Sequence, residues 1–104
     1  MALTITKLQN EDELRIIVDG EVDVSCANEL RDALLDAQEQ DAQPVVVDLA
    51  NVPYIDSTGI GVLVGAARRS KEAGTSFVVT NPQRNVARVL SLLGVGAELG
   101  VEGA

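Results

Sequence analysis

Two consecutive hydroxyl side chains, Ser57 and Thr58, stand where an apolar helical pattern begins, shortly after the most strand-like run of the chain, Pro44 to Leu49. A helix start has unpaired backbone N–H groups and the positive end of the helix dipole, which favour a hydroxyl cap, an anion or a phosphate. Capping alone, a role worth about 1 kcal/mol, is one explanation for the pair. The other is that one hydroxyl caps while its neighbour points outward, and our working hypothesis is a phosphorylatable Ser57.

A catalytic serine of a hydrolase would lack an activating base in this chain. No histidine is present, so a Ser-His-Asp triad cannot form within it. A Ser-Lys pair is not supported either, because Lys7 lies in a predicted strand and Lys71 lies at the far end of the helix that Ser57 begins, roughly 20 Å away. We therefore expect no catalytic residues and no enzymatic activity.

The glycines that follow the hydroxyls invite two comparisons with enzymes. Asp56 to Gly59 is similar to the Asp-Ser-Gly of aspartic proteases, but its spacing differs by one residue. Gly59 and Gly61 match part of a dinucleotide fingerprint that lacks its third glycine at the required step. A steric role explains Gly59, Gly61 and Gly65 better, because glycine lets a helix start approach neighbouring backbone and leaves its first turn uncovered for a partner. No cofactor is expected.

Length and composition predict a single folded domain. The chain has 104 residues, of which 46% are hydrophobic, enough for one core and too few for two domains. No apolar run approaches the roughly 20 residues that cross a bilayer, and Met1 to Gln9 lacks the apolar region of a signal peptide, so we expect a cytoplasmic protein that does not bind membranes. The lone Cys26 excludes an internal disulfide, offers no metal-ligand cluster and is expected to be buried.

The charge of the chain argues against nucleic acid as a partner. The formal net charge is -8, which would repel phosphates, and the only aromatic residues, Tyr54 and Phe77, offer no stacking platform. Residues 1–56 hold thirteen acids and three bases, whereas residues 57–104 hold three acids and five bases. This split indicates either an acidic face for a basic partner or only a solvated surface.

Hydrophobic periodicity predicts the order β β α β α β α. Residues 3–8 and 14–18 indicate an antiparallel hairpin at a sheet edge. The run Val45, Val46, Val47 and Leu49 is apolar on both faces, which is typical of a central strand covered by helices on both sides or flanked by buried layers. A helix joins this run to a further strand at 76–80, and such a crossover is almost always parallel.

Capping residues predict where the first and third helices begin, and the last residues are predicted to form a short strand and a tail. Ser25 is predicted to cap the first helix, and Asn81 and Pro82 are predicted to begin the third. A short last strand is predicted over 97–99, followed by a frayed tail at 100–104.

Several separated motifs together resemble the anti-sigma factor antagonist family of bacteria, whose members consist of a STAS domain. These motifs are Gly20 to Asp23, Val47 to Leu49, Tyr54 to Gly61 and the pair Asn81-Pro82. The resemblance covers nearly the whole chain. It implies an α/β fold, a single STAS-like domain over 1–104 with a mixed, mostly parallel sheet of four or five strands and three or more helices packed on it.

The resemblance also implies a partner switch. In that family the unmodified protein binds an anti-sigma factor that is also a GHKL-type serine kinase, which frees a sigma factor for transcription. The kinase uses ATP to phosphorylate the antagonist, and a metal-dependent serine phosphatase reverses the modification. Carried over by position, Ser57 is the phosphorylated residue, and Thr58 is its capping neighbour and the alternative site of modification. Asp23 is an acidic residue beside the site that helps the kinase reaction. The implied partner-binding residues are Asp23, Asp56, Ser57, Thr58, Gly59, Ile60 and Gly61.

Two questions stay open at this point. The same fold could serve as a STAS subunit of a stress-sensing or lipid-transport assembly that is never phosphorylated. The apolar edge at residues 3–8 is compatible with a monomer or a weak dimer.

Overall fold

The structure, a computed structural model, describes residues 3–40 and 43–101. The elements follow in the order β1 (Thr4–Gln9), β2 (Leu14–Asp19), α1 (Ala27–Gln40), β3 (Val45–Asn51), α2 (Ser57–Ala73), β4 (Phe77–Thr80), α3 (Arg84–Leu92) and α4 (Gly96–Leu99). None of the helices in this part of the chain is both long and apolar enough to cross a membrane. The observed order agrees with the predicted one as far as α3.

The four strands form one sheet in the order β1-β2-β3-β4. β1 pairs with β2 in antiparallel orientation, with Thr4 opposite Asp19 and Gln9 opposite Leu14. The pairs β2–β3 and β3–β4 are parallel. The predicted hairpin, the edge position of β1 and the parallel crossover are therefore confirmed, and the sheet is mixed and mostly parallel.

One face of the sheet carries the core. Residues aligned across β2, β3 and β4 are Leu14, Val45 and Phe77 in one row and Ile16, Val47 and Val79 in another. All of them are buried in a single apolar cluster. Each helix adds at least one fully buried leucine to that cluster, namely Leu30, Leu34, Leu63, Leu90 and Leu99. Close packing of these side chains fixes the helices on the sheet.

The opposite face of the sheet is not a second apolar layer. Val46 is buried there, as the sequence predicts. Its neighbours in the strands include Arg15 and Asp48, which form a 2.9 Å ion pair with side chains that are 33% and 16% exposed. The expectation of buried apolar layers on both sides of β3 is therefore wrong for this face.

Helix α3 begins two residues later than the Asn81-Pro82 signal predicts. Asn81 adopts a left-handed backbone (φ 56°) and turns the chain, a conformation that asparagine tolerates better than most residues. The N-cap is Gln83, and the first helical residue is Arg84. The Gln83 side chain donates a 3.0 Å hydrogen bond to the Ala50 carbonyl, which holds this helix start against the end of β3.

The predicted last strand is wrong, because residues 96–99 form the short helix α4. Leu99 is fully buried, and Gly100 closes the helix in the left-handed region (φ 60°). The Val101 N–H donates to the Gly96 carbonyl at 3.1 Å, so residues 100 and 101 are not frayed. The rest of the predicted tail, 102–104, lies outside the described residues.

Candidate functional site

Asp56, rather than either hydroxyl, caps helix α2. Its backbone is extended (φ -99°, ψ 179°), and its side chain accepts a hydrogen bond from the Gly59 N–H at 2.9 Å. A carboxylate suits this position, because it satisfies an orphan N–H group and interacts favourably with the helix dipole. The prediction that Thr58 is the capping neighbour is therefore wrong. Ser57 and Thr58 are both exposed in the first turn, with neither needed for the cap.

The second oxygen of Asp56 binds the loop that follows β2, residues 20–26, which we call the Asp23 loop. This oxygen accepts a hydrogen bond from the Val24 N–H at 3.1 Å. The backbone continues the contact, since the Asp56 N–H donates to the Val22 carbonyl at 3.0 Å and the Val22 N–H donates to the Tyr54 carbonyl at 2.9 Å. One carboxylate thus holds both the start of α2 and the Asp23 loop, and it places that loop beside Ser57.

Asp23 shapes its own loop. Its side chain accepts hydrogen bonds from the Ser25 hydroxyl at 2.5 Å and from the Ser25 N–H at 2.9 Å. The Ser25 hydroxyl therefore serves the Asp23 carboxylate, and Ser25 is not the helix cap that the sequence predicts. The bond from the Ser25 hydroxyl has the larger effect and the bond from the Ser25 N–H the next; together they lower the pKa of the Asp23 carboxyl below its usual 3.8. Asp23 is accordingly a fixed negative charge at neutral pH.

The Cys26 side chain forms hydrogen bonds inside the Asp23 loop. It is buried, as predicted, and its thiol donates to the Glu21 carbonyl at 3.3 Å. In the described part of the chain no group of three or more cysteine, aspartate and glutamate side chains is arranged to hold a metal ion. The hydrogen bonds of Cys26 and Asp23 within the loop add to those that Asp56 and Tyr54 make with it.

Gly59 and Gly61 have different steric roles. A Cβ atom at Gly59 would lie 2.6 Å from Val22 Cγ1 and 2.9 Å from Ile55 Cγ1, so this glycine permits the close approach of α2 to the Asp23 loop. A Cβ atom at Gly61 would meet nothing within 4 Å, so this glycine lies at an open surface. The steric interpretation of both glycines agrees with this geometry.

The structure divides the predicted partner-binding residues into two groups. Ser57, Thr58 and Gly61 are exposed, and Asp23 is partly exposed in the loop that Asp56 ties to the helix start. The other three support the site from within. Gly59 is buried against the loop and Ile60 is 3% exposed in the core, whereas the Asp56 side chain is occupied by its two internal hydrogen bonds.

Two exposed apolar residues that were not among the predicted partner-binding residues flank the site. Val24 is 72% exposed and Tyr54 is 48% exposed. Val24 lies in the Asp23 loop, and Tyr54 precedes the short bridge between Val22 and Ile55. The sequence contained a signal for both, because Val24 directly follows the Gly20–Asp23 motif, Tyr54 begins the Tyr54–Gly61 motif, and both are large apolar residues outside the predicted helices. Exposed apolar side chains around a small polar centre are typical of a protein-binding surface.

Substitution of Gly59 tests the packing of this site. Gly59→Ala should lower the free energy of unfolding by about 1–3 kcal/mol, because the added methyl group meets Val22 and Ile55 in a packed region. Gly61→Ala is the matched control and should raise it by about 0.5–1 kcal/mol, because alanine favours the helix and the site is open. Urea unfolding of both variants measures the difference. Equal stabilities would contradict the close approach at Gly59.

Titration of Asp23 tests the loop geometry. Its pKa in the folded protein should lie below 3.8, so the two bonds from Ser25 favour folding at neutral pH, and their contribution is lost as the pH falls through that lowered pKa. Ser25→Ala should move the Asp23 pKa upward, because the hydrogen bond from the Ser25 hydroxyl is the largest cause of its lowering. Carboxyl-carbon NMR titration measures this, with Ser76→Ala as a control that leaves it unchanged. An unaltered Asp23 pKa in Ser25→Ala would argue against the bonds.

Comparison with known proteins places this geometry in a family. The family model described as STAS domain matches residues 4–102. The chain is 34% identical over 95 residues to the anti-sigma-B factor antagonist of Bacillus subtilis (strain 168), covering 91% of this chain and 86% of that relative.

Solved structures are similar in fold. The unphosphorylated form of the anti-sigma factor antagonist SpoIIAA has a TM-score of 0.80 at 21% identity, covering 99% of this chain and 88% of that one. The phosphorylated form of SpoIIAA, a Bacillus cell fate determinant, has a TM-score of 0.73 at 20% identity and covers 99% of this chain and 91% of its own. These similarities agree with the four-stranded sheet and its helices. Because the family model matches residues 4–102, the chain belongs to the STAS domain family.

Proposed function

We propose that this chain is an anti-sigma factor antagonist controlled by phosphorylation at Ser57. In its unphosphorylated form it binds an anti-sigma factor with GHKL-type serine kinase activity and so releases a sigma factor for transcription. The observation that carries the proposal is the exposure of Ser57 in the first turn of α2 while Asp56 makes the cap. A relative at 34% identity, the anti-sigma-B factor antagonist of Bacillus subtilis, supports the choice of partner class.

The position of Ser57 suits a modification that leaves the fold intact. A phosphoserine adds a charge of about -1.5 to -2. At the start of a helix such a charge gains about 0.3–1 kcal/mol from the dipole. Since neither the cap nor the core uses the Ser57 hydroxyl, the phosphorylated chain keeps its structure. Thr58 is also exposed and is the alternative site of modification.

The same charge acts differently inside a complex. An unpaired charge buried at an interface costs about 3–5 kcal/mol, which corresponds to roughly 200-fold to 4,000-fold weaker binding at about 1.4 kcal/mol per tenfold change. The neighbouring carboxylates of Asp23 and Asp56 add like-charge repulsion. Phosphorylation therefore separates the partners without unfolding either of them.

The remaining parts of the proposal follow from this switch. Asp23, held as a negative charge beside Ser57, assists the kinase reaction, and Val24 and Tyr54 supply apolar contacts to the partner. A metal-dependent serine phosphatase restores the binding form. The chain itself is a binding module and not an enzyme, and the switch operates in the cytoplasm, where ATP and sigma factors are found.

Charge substitution at Ser57 tests the switch. Ser57→Asp should weaken binding to the anti-sigma factor by at least about tenfold, whereas Ser57→Ala should bind like the wild type. Ser76→Asp is the matched control, because it adds the same charge at another exposed serine. Isothermal titration calorimetry against the anti-sigma kinases of the source organism gives the affinities.

Two results would contradict the proposal. Equal affinities of Ser57→Asp and Ser57→Ala would show that charge at this position does not control binding. Absence of binding between the wild type and every such anti-sigma factor would instead favour a STAS subunit of another assembly that is not phosphorylated.

A further inference from the structure

A groove of about 270 Å³ lies between α1 and α2 and begins beside the exposed hydroxyls. The residues lining it are Arg31, Thr58, Gly61, Val62, Gly65 and Arg69. Two glycines keep it open, since a Cβ atom at Gly61 would meet nothing within 4 Å and one at Gly65 would first meet Arg69 Nη1 at 3.6 Å. From Thr58 to Arg69 the groove follows α2 for roughly 16 Å.

Two guanidinium groups line this groove without a carboxylate partner among the described residues. The salt bridges in that part of the chain involve Lys7, Arg15 and Arg68. The two groove arginines are held by neutral amides instead. Arg31 Nη2 donates to Asn28 Oδ1 at 2.5 Å, and Arg69 Nε donates to Gln38 Oε1 at 3.1 Å.

Arg69 also keeps unused hydrogen-bonding capacity. Its Nη2 atom is buried and has no hydrogen-bond partner among the described residues. A buried donor without an acceptor is unfavourable, and guanidinium groups match the two oxygens of a carboxylate. In a chain of net charge -8, a groove with two unneutralised arginines is suited to an incoming acidic group.

We propose that this groove receives an aspartate or glutamate side chain of the anti-sigma factor. The inference rests on the proposed function and extends the docking surface from Ser57 along α2. Thr58 lies at the start of the groove and adjoins Ser57, so one partner surface can cover the switch residue and place a carboxylate between the arginines. The volume fits a side chain rather than a helix, and the charge of the groove selects its chemistry.

Two variants test the groove independently of Ser57. Arg31→Glu reverses one charge at an exposed residue whose side chain, among the described residues, forms a hydrogen bond only with Asn28. Gly65→Leu fills the groove at a helical position where the added Cβ atom would have only Arg69 Nη1 within 4 Å, at 3.6 Å. Arg88→Glu, an exposed arginine on α3, is the matched control for net charge. Melting temperatures establish that all three fold.

Calorimetry against the anti-sigma factor that binds the wild-type chain gives the outcome. Arg31→Glu and Gly65→Leu should each weaken binding by at least about tenfold, while Arg88→Glu changes it by less than about twofold. The loss in Arg31→Glu should shrink at high salt, because ions screen exposed charges. Unchanged binding by either groove variant overturns the proposal, as does an equal loss in Arg88→Glu.

The groove and the proposed function can fail separately. If Ser57→Asp loses binding while Arg31→Glu and Gly65→Leu retain it, only the groove assignment is overturned. If the wild-type chain binds no anti-sigma factor, both are overturned.

Discussion

The Asp56 carboxylate is the interaction on which the rest of the site depends. Its two oxygens accept hydrogen bonds from the Gly59 N–H, inside α2, and from the Val24 N–H, in the Asp23 loop. Residues far apart in the chain are therefore tied together by one side chain. Because the Asp56 carboxylate accepts the Gly59 N–H and so caps the helix, the hydroxyls of Ser57 and Thr58 are not needed for capping and are available for other chemistry.

The parallel sheet explains why these segments meet. β2 and β3 run in the same direction, so the loops that follow them emerge at the same edge, as the carboxyl ends of parallel strands always do. The Val22–Ile55 bridge extends that pairing by one step beyond the strands. Gly59 then allows α2 to approach the bridge without a Cβ atom in the way. The core fixes the sheet, the sheet brings the loops together, and Asp56 sets their spacing.

Much of the fold could be predicted from the sequence because local patterns and tertiary packing agree. The buried run of β3, the hairpin of β1 with β2 and the helix after Ser57 all follow from periodicity and turn residues. The site was predicted less completely. Aspartate, serine and threonine are all good helix caps, so residue types alone could not assign the cap to Asp56. Periodicity does not report contacts between segments that are distant in sequence. Such contacts leave Val24 exposed and bring Arg31 and Arg69 to the same groove.

The central claim is that Ser57 is a phosphorylation switch at a helix start capped by Asp56. The most direct measurement is intact mass followed by peptide mapping, after incubation of the wild-type chain with ATP and the anti-sigma kinases of the source organism. We expect a gain of one phosphate, located on Ser57. A phosphate on Thr58 would keep the switch and move its site by one residue. An unmodified chain with every kinase that binds it would contradict the claim.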